Sequence, residues 1–334
     1  MAAAGAARST GIGSWPGTDL TDALKIAFAE CPELAYLPEL PARGDGSGMI
    51  GRAAAVLTGL AVDRQPAGWR LADASDRAHR QAQATLRSDL DQLEEVAQGY
   101  AGQVKLAFTG PWTLAASMER PRGDRVLGDA GARRDLGQSL AEGLAGVFGE
   151  LARRLPEARW MLQLDEPLLP SVLAGRVPTA SGLDRHRAVD RAEAGGAIRQ
   201  LVERLGRLGA GPLVAVHCCA AELPADLLRQ AGVGGIFVDL DRLTTAGWDA
   251  VGAGLEDGLT VGLGALPTER RLDPGQVADR VLRELRGLGL GPEVAGQLIV
   301  TPACGLAGQD AASAARSLRT VREAAGIVTE ELAR

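Results

Sequence analysis

Short apolar runs alternate along the chain with longer stretches in which apolar and polar positions recur at helical spacing. Eight runs stand out, at 9–14, 35–40, 104–110, 159–165, 212–218, 234–240, 259–264 and 297–302. Their length suits strands buried on both faces. The stretches 19–30, 76–99, 131–156, 187–208, 223–231, 274–288 and 309–330 are rich in Ala, Leu, Arg and Glu and read as helices with one packed face. Strands alternating with helices in this number predict a (β/α)8 barrel, an α/β fold of the TIM type, and 334 residues suffice for one such domain over 1–334. Barrels of this kind carry their chemistry at the C-terminal ends of the strands, so the residues that close each run form the candidate site. The Gly-rich segment from Ala42 to Ala67 follows neither period and is expected to be an active-site loop or a surface excursion.

The rarest reactive side chains collect at these run ends. The chain has four cysteines and three histidines, yet His217, Cys218 and Cys219 close one run and Cys304 follows another. Thiolate and imidazole at converging strand tips predict a zinc site. Residues two apart on a strand share a face, so His217 and Cys219 point together while Cys218 points back toward a covering helix as a small buried hydrophobe. The run 234–240 ends beside Asp239 and Asp241, either of which can complete the ligand set. Gly11 and Gly13, in Gly11-Ile12-Gly13-Ser14-Trp15-Pro16, permit close approach of a ligand to the backbone. In Gln163-Leu164-Asp165-Glu166-Pro167 the paired carboxylates can hold a substrate ammonium or work as general acid and base, and they can equally cap a helix or form a turn. Thr109-Gly110-Pro111-Trp112-Thr113 reads on its own as a strand-to-helix turn with Trp112 packed as core.

Charge and composition narrow the class of partner. A formal charge of −6 supplies no basic field for nucleic acid or anionic lipid, and no run has the length of a membrane span. Four scattered cysteines make no disulfide framework, and no secretory leader is expected at the N-terminus. A cytoplasmic protein acting on a small molecule is the expectation.

Taken in order, Ile12-Gly13-Ser14-Trp15-Pro16, Thr109-Gly110-Pro111, Gln163-Leu164-Asp165-Glu166-Pro167, His217-x-Cys219, Ile236-x-Val238-Asp239 and Pro302-Ala303-Cys304-Gly305-Leu306 resemble the catalytic domain of cobalamin-independent methionine synthase over nearly the whole chain. The resemblance implies a zinc barrel that transfers a methyl group to homocysteine, with His217, Cys219, Cys304 and, at the family's glutamate position, Asp239 as ligands. It also implies an amino-acid site at Ile12, Gly13, Ser14, Asp165 and Glu166, and a donor pocket is expected around Glu39, Trp112 and Thr113. The donor is expected to be methyltetrahydrofolate or a methyl-corrinoid, free or carried on a corrinoid protein. Zinc suits the chemistry, because a free thiol with a pKa of about 8.5 is mostly protonated at neutral pH and coordination deprotonates it. Three departures from the family pattern stand out. Asp239 is one methylene short, the folate-side motif after the second strand is replaced by Leu37-Pro38-Glu39-Leu40-Pro41-Ala42-Arg43-Gly44, and Pro267 stands near the place of the proton-donating histidine. The family's second, N-terminal barrel is expected to be absent. Alternatives are transfer to another thiol such as coenzyme M, or a metal-free barrel like uroporphyrinogen decarboxylase.

Overall fold

The computed structural model describes residues 5–334; the first four positions of the 1–334 range lie outside the described residues. Ten strands follow in chain order: β1 (Arg8–Ser9), β2 (Leu34–Tyr36), β3 (Ala61–Gln65), β4 (Gly68–Ala72), β5 (Gln103–Thr109), β6 (Arg159–Asp165), β7 (Leu213–Cys218), β8 (Gly235–Asp239), β9 (Thr260–Leu266) and β10 (Leu298–Pro302). Eight of them form one parallel sheet in the order β1-β10-β9-β8-β7-β6-β5-β2. Its ends meet beyond β1 and β2, where Glu39 N–H donates to Gly13 O at 3.1 Å and Trp15 N–H donates to Glu39 O at 2.8 Å. The result is a single α/β domain with a nearly closed TIM-type barrel, as the alternation of runs predicts.

Alternation along the strands sorts the core into two layers. Ile12, Leu34, Met161, Ala215, Phe237 and Ile299 fill the barrel interior. Residues of opposite parity, such as Phe108, Leu164, Val216 and Val238, belong to a larger cluster beneath the helices. Room inside is tight enough that a Cβ on Gly262 would stand 2.1 Å from the Phe237 ring. The seven expected helices are present, and aspartates at 19, 76, 129, 190, 273 and 310 cap six of them by accepting first-turn N–H bonds.

Local differences from the sequence expectation have local causes. The first and second runs pair as regular strands only at Arg8–Ser9 and Leu34–Tyr36. Gly11 passes so close to the Tyr36 ring that a Cβ would meet it at 2.4 Å, and Pro38 has no N–H to give a ladder. The stretch from Ala42 to Ala67 is a folded insertion, with two 3-10 turns, the helix Met49–Val56 and the first strand of the β3–β4 hairpin. Helix Thr245–Glu256 escapes the periodicity because Gly247, Gly252 and Gly254 dilute it; Gly252 and Gly254 let Leu288 and Leu259 pack close. Among the described residues no helix is long and apolar enough to cross a membrane.

Candidate metal centre

Strands β7 and β10 deliver the soft donors. His217 is the penultimate residue of β7, Cys219 follows its end, and Cys304 lies two residues beyond β10. One ligand nitrogen of His217 and both sulfurs lie within 4.8 Å of one another, and no other such trio of His, Cys, Asp or Glu occurs among the described residues. Cys218 points the other way, 1% exposed in the outer core, and burial pushes its thiol up to about 12. The two site thiols are pushed in opposite directions. Hydrogen bonding from Cys219, then from His217, pulls Cys304 down to about 4, while Cys219 is pushed well above the ordinary thiol range. His217 is buried, and its Nδ1 has no hydrogen-bond partner.

The neighbouring carboxylates stand apart from this trio. Asp239 ends β8, but one carboxylate oxygen accepts from Asp241 N–H at 3.0 Å and the other lies 3.9 Å from Arg242 Nε. Burial raises its pKa. Asp241 is held by Arg280 at 2.5 Å and Arg270 at 3.6 Å, on the side of helix Pro274–Gly287. Neither carboxylate joins the three donors in this structure.

Loops after the other strands bring the amino-acid candidates alongside. Asp165 ends β6 in register with His217 and accepts from Gln163 Nε2 at 2.7 Å; burial raises its carboxyl pKa, opposed chiefly by His217. Leu306 N–H donates to Ser14 O at 2.8 Å, joining the loop after β1 to the loop that carries Cys304. A Cβ on Gly305 would fall 2.0 Å from Ser14 Oγ and 3.1 Å from Ser14 Cβ, so glycine lets the two loops pack closely here. Glu39 is buried beside Gly13, 3.7 Å from Arg52 Nε, and desolvation lifts its carboxyl to about 7 against the pull of Arg52.

Glu166, Trp112 and Thr113 have other work. Glu166 is fully buried and accepts from Trp112 N–H, Thr113 N–H and Thr113 Oγ1, each at 2.8 Å. It thus satisfies the buried first-turn amides of helix Pro111–Ser117 that have no partner within the helix, and Gly110 leaves room for its carboxylate. Trp112 is buried in the outer core with Nε1–H donating to Ala194 O at 3.0 Å. The side chains of Trp112 and Thr113, expected near the donor, are both enclosed by the chain, Trp112 within the outer core. Glu166→Gln is expected to destabilise the fold by about 1–3 kcal/mol, because the amide NH₂ must face a backbone donor. Chemical denaturation measures this, and an unchanged midpoint would contradict the capping role.

Sequence reasoning passed over Lys105 and Arg52. Lys105 is a cation in the middle of an apolar run, and that interruption is the available signal. Arg52 lies in the aperiodic insertion, and nothing in its local pattern marks it as buried.

A profile for the family described as cobalamin-independent synthase, catalytic domain, matches residues 7–327. The chain belongs to that family. Among solved structures, this family member is similar to a B12-independent methionine synthase from Shewanella sp. W3-18-1 in complex with selenomethionine, at 14% identity and a TM-score of 0.59 over 98% of this chain and 99% of that one. At that identity the likeness establishes the shared barrel. A β-1,4-D-mannanase from Cryptopygus antarcticus follows at 11% identity and a TM-score of 0.41, over 95% of this chain and 94% of that one, too distant to inform function. No curated protein matches the sequence.

Proposed function

We propose that this synthase-family chain is a zinc-dependent S-methyltransferase that moves a methyl group onto the thiol of homocysteine to give methionine. The observation that carries the proposal is the convergence of His217, Cys219 and Cys304 within 4.8 Å at the C-terminal ends of β7 and β10. Donors about 2.0–2.3 Å from one tetrahedral zinc lie roughly 3.5–3.8 Å from each other, so side-chain adjustments of about 1 Å accommodate the ion. The donor set fits the same conclusion, since an imidazole and two thiols brought together are what a zinc ion binds once the thiols lose their protons. Three protein ligands with one position open is the arrangement of catalytic zinc. The ion, when bound, keeps a substrate thiol deprotonated near neutral pH.

The chain's own groups then do the positioning. Asp165, buried beside His217, offers a carboxylate to the substrate ammonium. The Ile12–Ser14 backbone, held against Cys304's loop by the Ser14–Leu306 bond, fixes the rest of the amino acid. Transfer requires the donor methyl in line, about 3–3.5 Å from the sulfur.

Zinc-loaded protein incubated with methylcobalamin and either homocysteine or coenzyme M tests the acceptor. Methionine is the expected product, and coenzyme M, which has no ammonium for Asp165, is expected to react poorly. Preferential methylation of coenzyme M would contradict the assignment.

A further inference from the structure

Lys25 and Lys105 are the only lysines among 36 basic residues; at every other basic position the chain uses arginine. Lys25 is exposed on its helix, whereas Lys105 sits in β5 at 1% exposure. A cation buried this deeply is tolerated only where its protons are taken up. Its Nζ donates to Ile12 O at 2.7 Å and Gln163 Oε1 at 2.5 Å, and the rings of Tyr36 and Phe237 stand with centroids 5.5 Å away. Gln163 Nε2 donates to the same Ile12 carbonyl at 2.9 Å and to Asp165 at 2.7 Å. Lys105, Ile12 O and Gln163 thus close a triangle with Asp165 attached to one corner.

From this arrangement we infer that Lys105 is the positioning residue of the ammonium end of the amino-acid subsite, setting the orientation of the Gln163 amide and, through it, the Asp165 carboxylate. The inference rests on the homocysteine assignment and deepens it. An ammonium has only donors, so it commands the oxygen end of the Gln163 amide and leaves the NH₂ end for Asp165 and Ile12. Without it, the amide loses the partner that decides its orientation, and Asp165 loses a fixed donor. Arginine does not substitute readily. Its planar fork needs more room than a compact ammonium between two rings, and Tyr36 already presses on Gly11.

The test compares wild type with Lys105→Met and Gln163→Leu, the second cutting the link to Asp165 while leaving the cation in place. Calorimetry of the zinc-loaded proteins measures affinity for homocysteine and for its des-amino analogue, which keeps thiol and carboxylate. Zinc content and the thermal midpoint are measured on the same samples. Both variants are expected to retain one zinc per chain and to weaken homocysteine binding by roughly ten- to a hundredfold, leaving the analogue within about threefold. Equal weakening of both ligands, or loss of zinc, would mean that the triangle is merely structural, and unchanged binding would mean that it does nothing for the subsite. If Lys105→Met does not fold, Gln163→Leu decides by the same criteria. A wild type that binds zinc but not homocysteine overturns the acceptor assignment and this inference together, whereas normal wild-type binding with indifferent variants overturns this inference alone.

Discussion

Cys304→Ser and Cys219→Ser are each expected to release zinc and abolish methyl transfer, while Cys218→Ser keeps both. The contrast follows from where the sulfurs point. Cys219 and Cys304 lie within 4.8 Å of each other and of His217, whereas Cys218 is enclosed in the outer core. A hydroxyl is a poor ligand for a borderline-soft ion at neutral pH. Changes to residues that merely support a ligand cost about 10–100-fold in metal affinity, so loss of a ligand is expected to exceed about a hundredfold. The same exchange at Cys218 places a hydroxyl in an apolar layer and costs stability only. Metal analysis after gel filtration, with turnover on the same samples, checks this. Equal zinc loss in the Cys218 variant would refute the facing of the strand.

Methylcobalamin is expected to support transfer faster than methyltetrahydrofolate, by as much as the 10²- to 10⁴-fold that general acid assistance is typically worth. A folate leaving group departs as an amine and needs a proton, whereas a departing corrinoid needs none. The loop after β9 runs Pro267-Thr268 without a histidine. His79 is engaged by Ser75 and Ala54 O, and His186 is paired with Asp124, so neither is free for this task. Parallel initial rates with the two donors decide the matter. Equal rates would show that another acid serves, and Glu39 is the group to suspect, because desolvation holds its carboxyl near about 7 beside Gly13. In that event turnover with the folate should fall as pH rises through about 7, since the acid form is the one that donates.

The barrel was legible because each strand is a short apolar run between helices whose Asp caps and apolar stripes are ordinary. The helix Thr245–Glu256 was not, since its glycines remove the residues that advertise a helix while packing supplies the reason for them. Strand parity placed His217 and Cys219 together, and the glycine beside Ser14 explains why the Cys304 loop reaches them. Carboxylate roles were harder to read. Asp165 and Glu166 are adjacent, yet one ends a strand beside His217 and the other caps a helix, and only the fold of helix Pro111–Ser117 against that turn separates them. Asp239 and Asp241 share a parity, but Arg280 and Arg270 claim Asp241 from elements distant in sequence. Lys105 acquires meaning only once β5 and β6 are neighbours, because its partner Gln163 lies on the adjacent strand.

The central claim is that His217, Cys219 and Cys304 hold one zinc with a position left open for the substrate sulfur. X-ray absorption at the zinc edge, on protein carrying one zinc per chain, measures this directly. Two sulfur neighbours at about 2.3 Å and a nitrogen neighbour at about 2.0–2.1 Å are expected without substrate, rising to three sulfurs when homocysteine is added. A shell that holds no sulfur, or one that does not change with homocysteine, would contradict it.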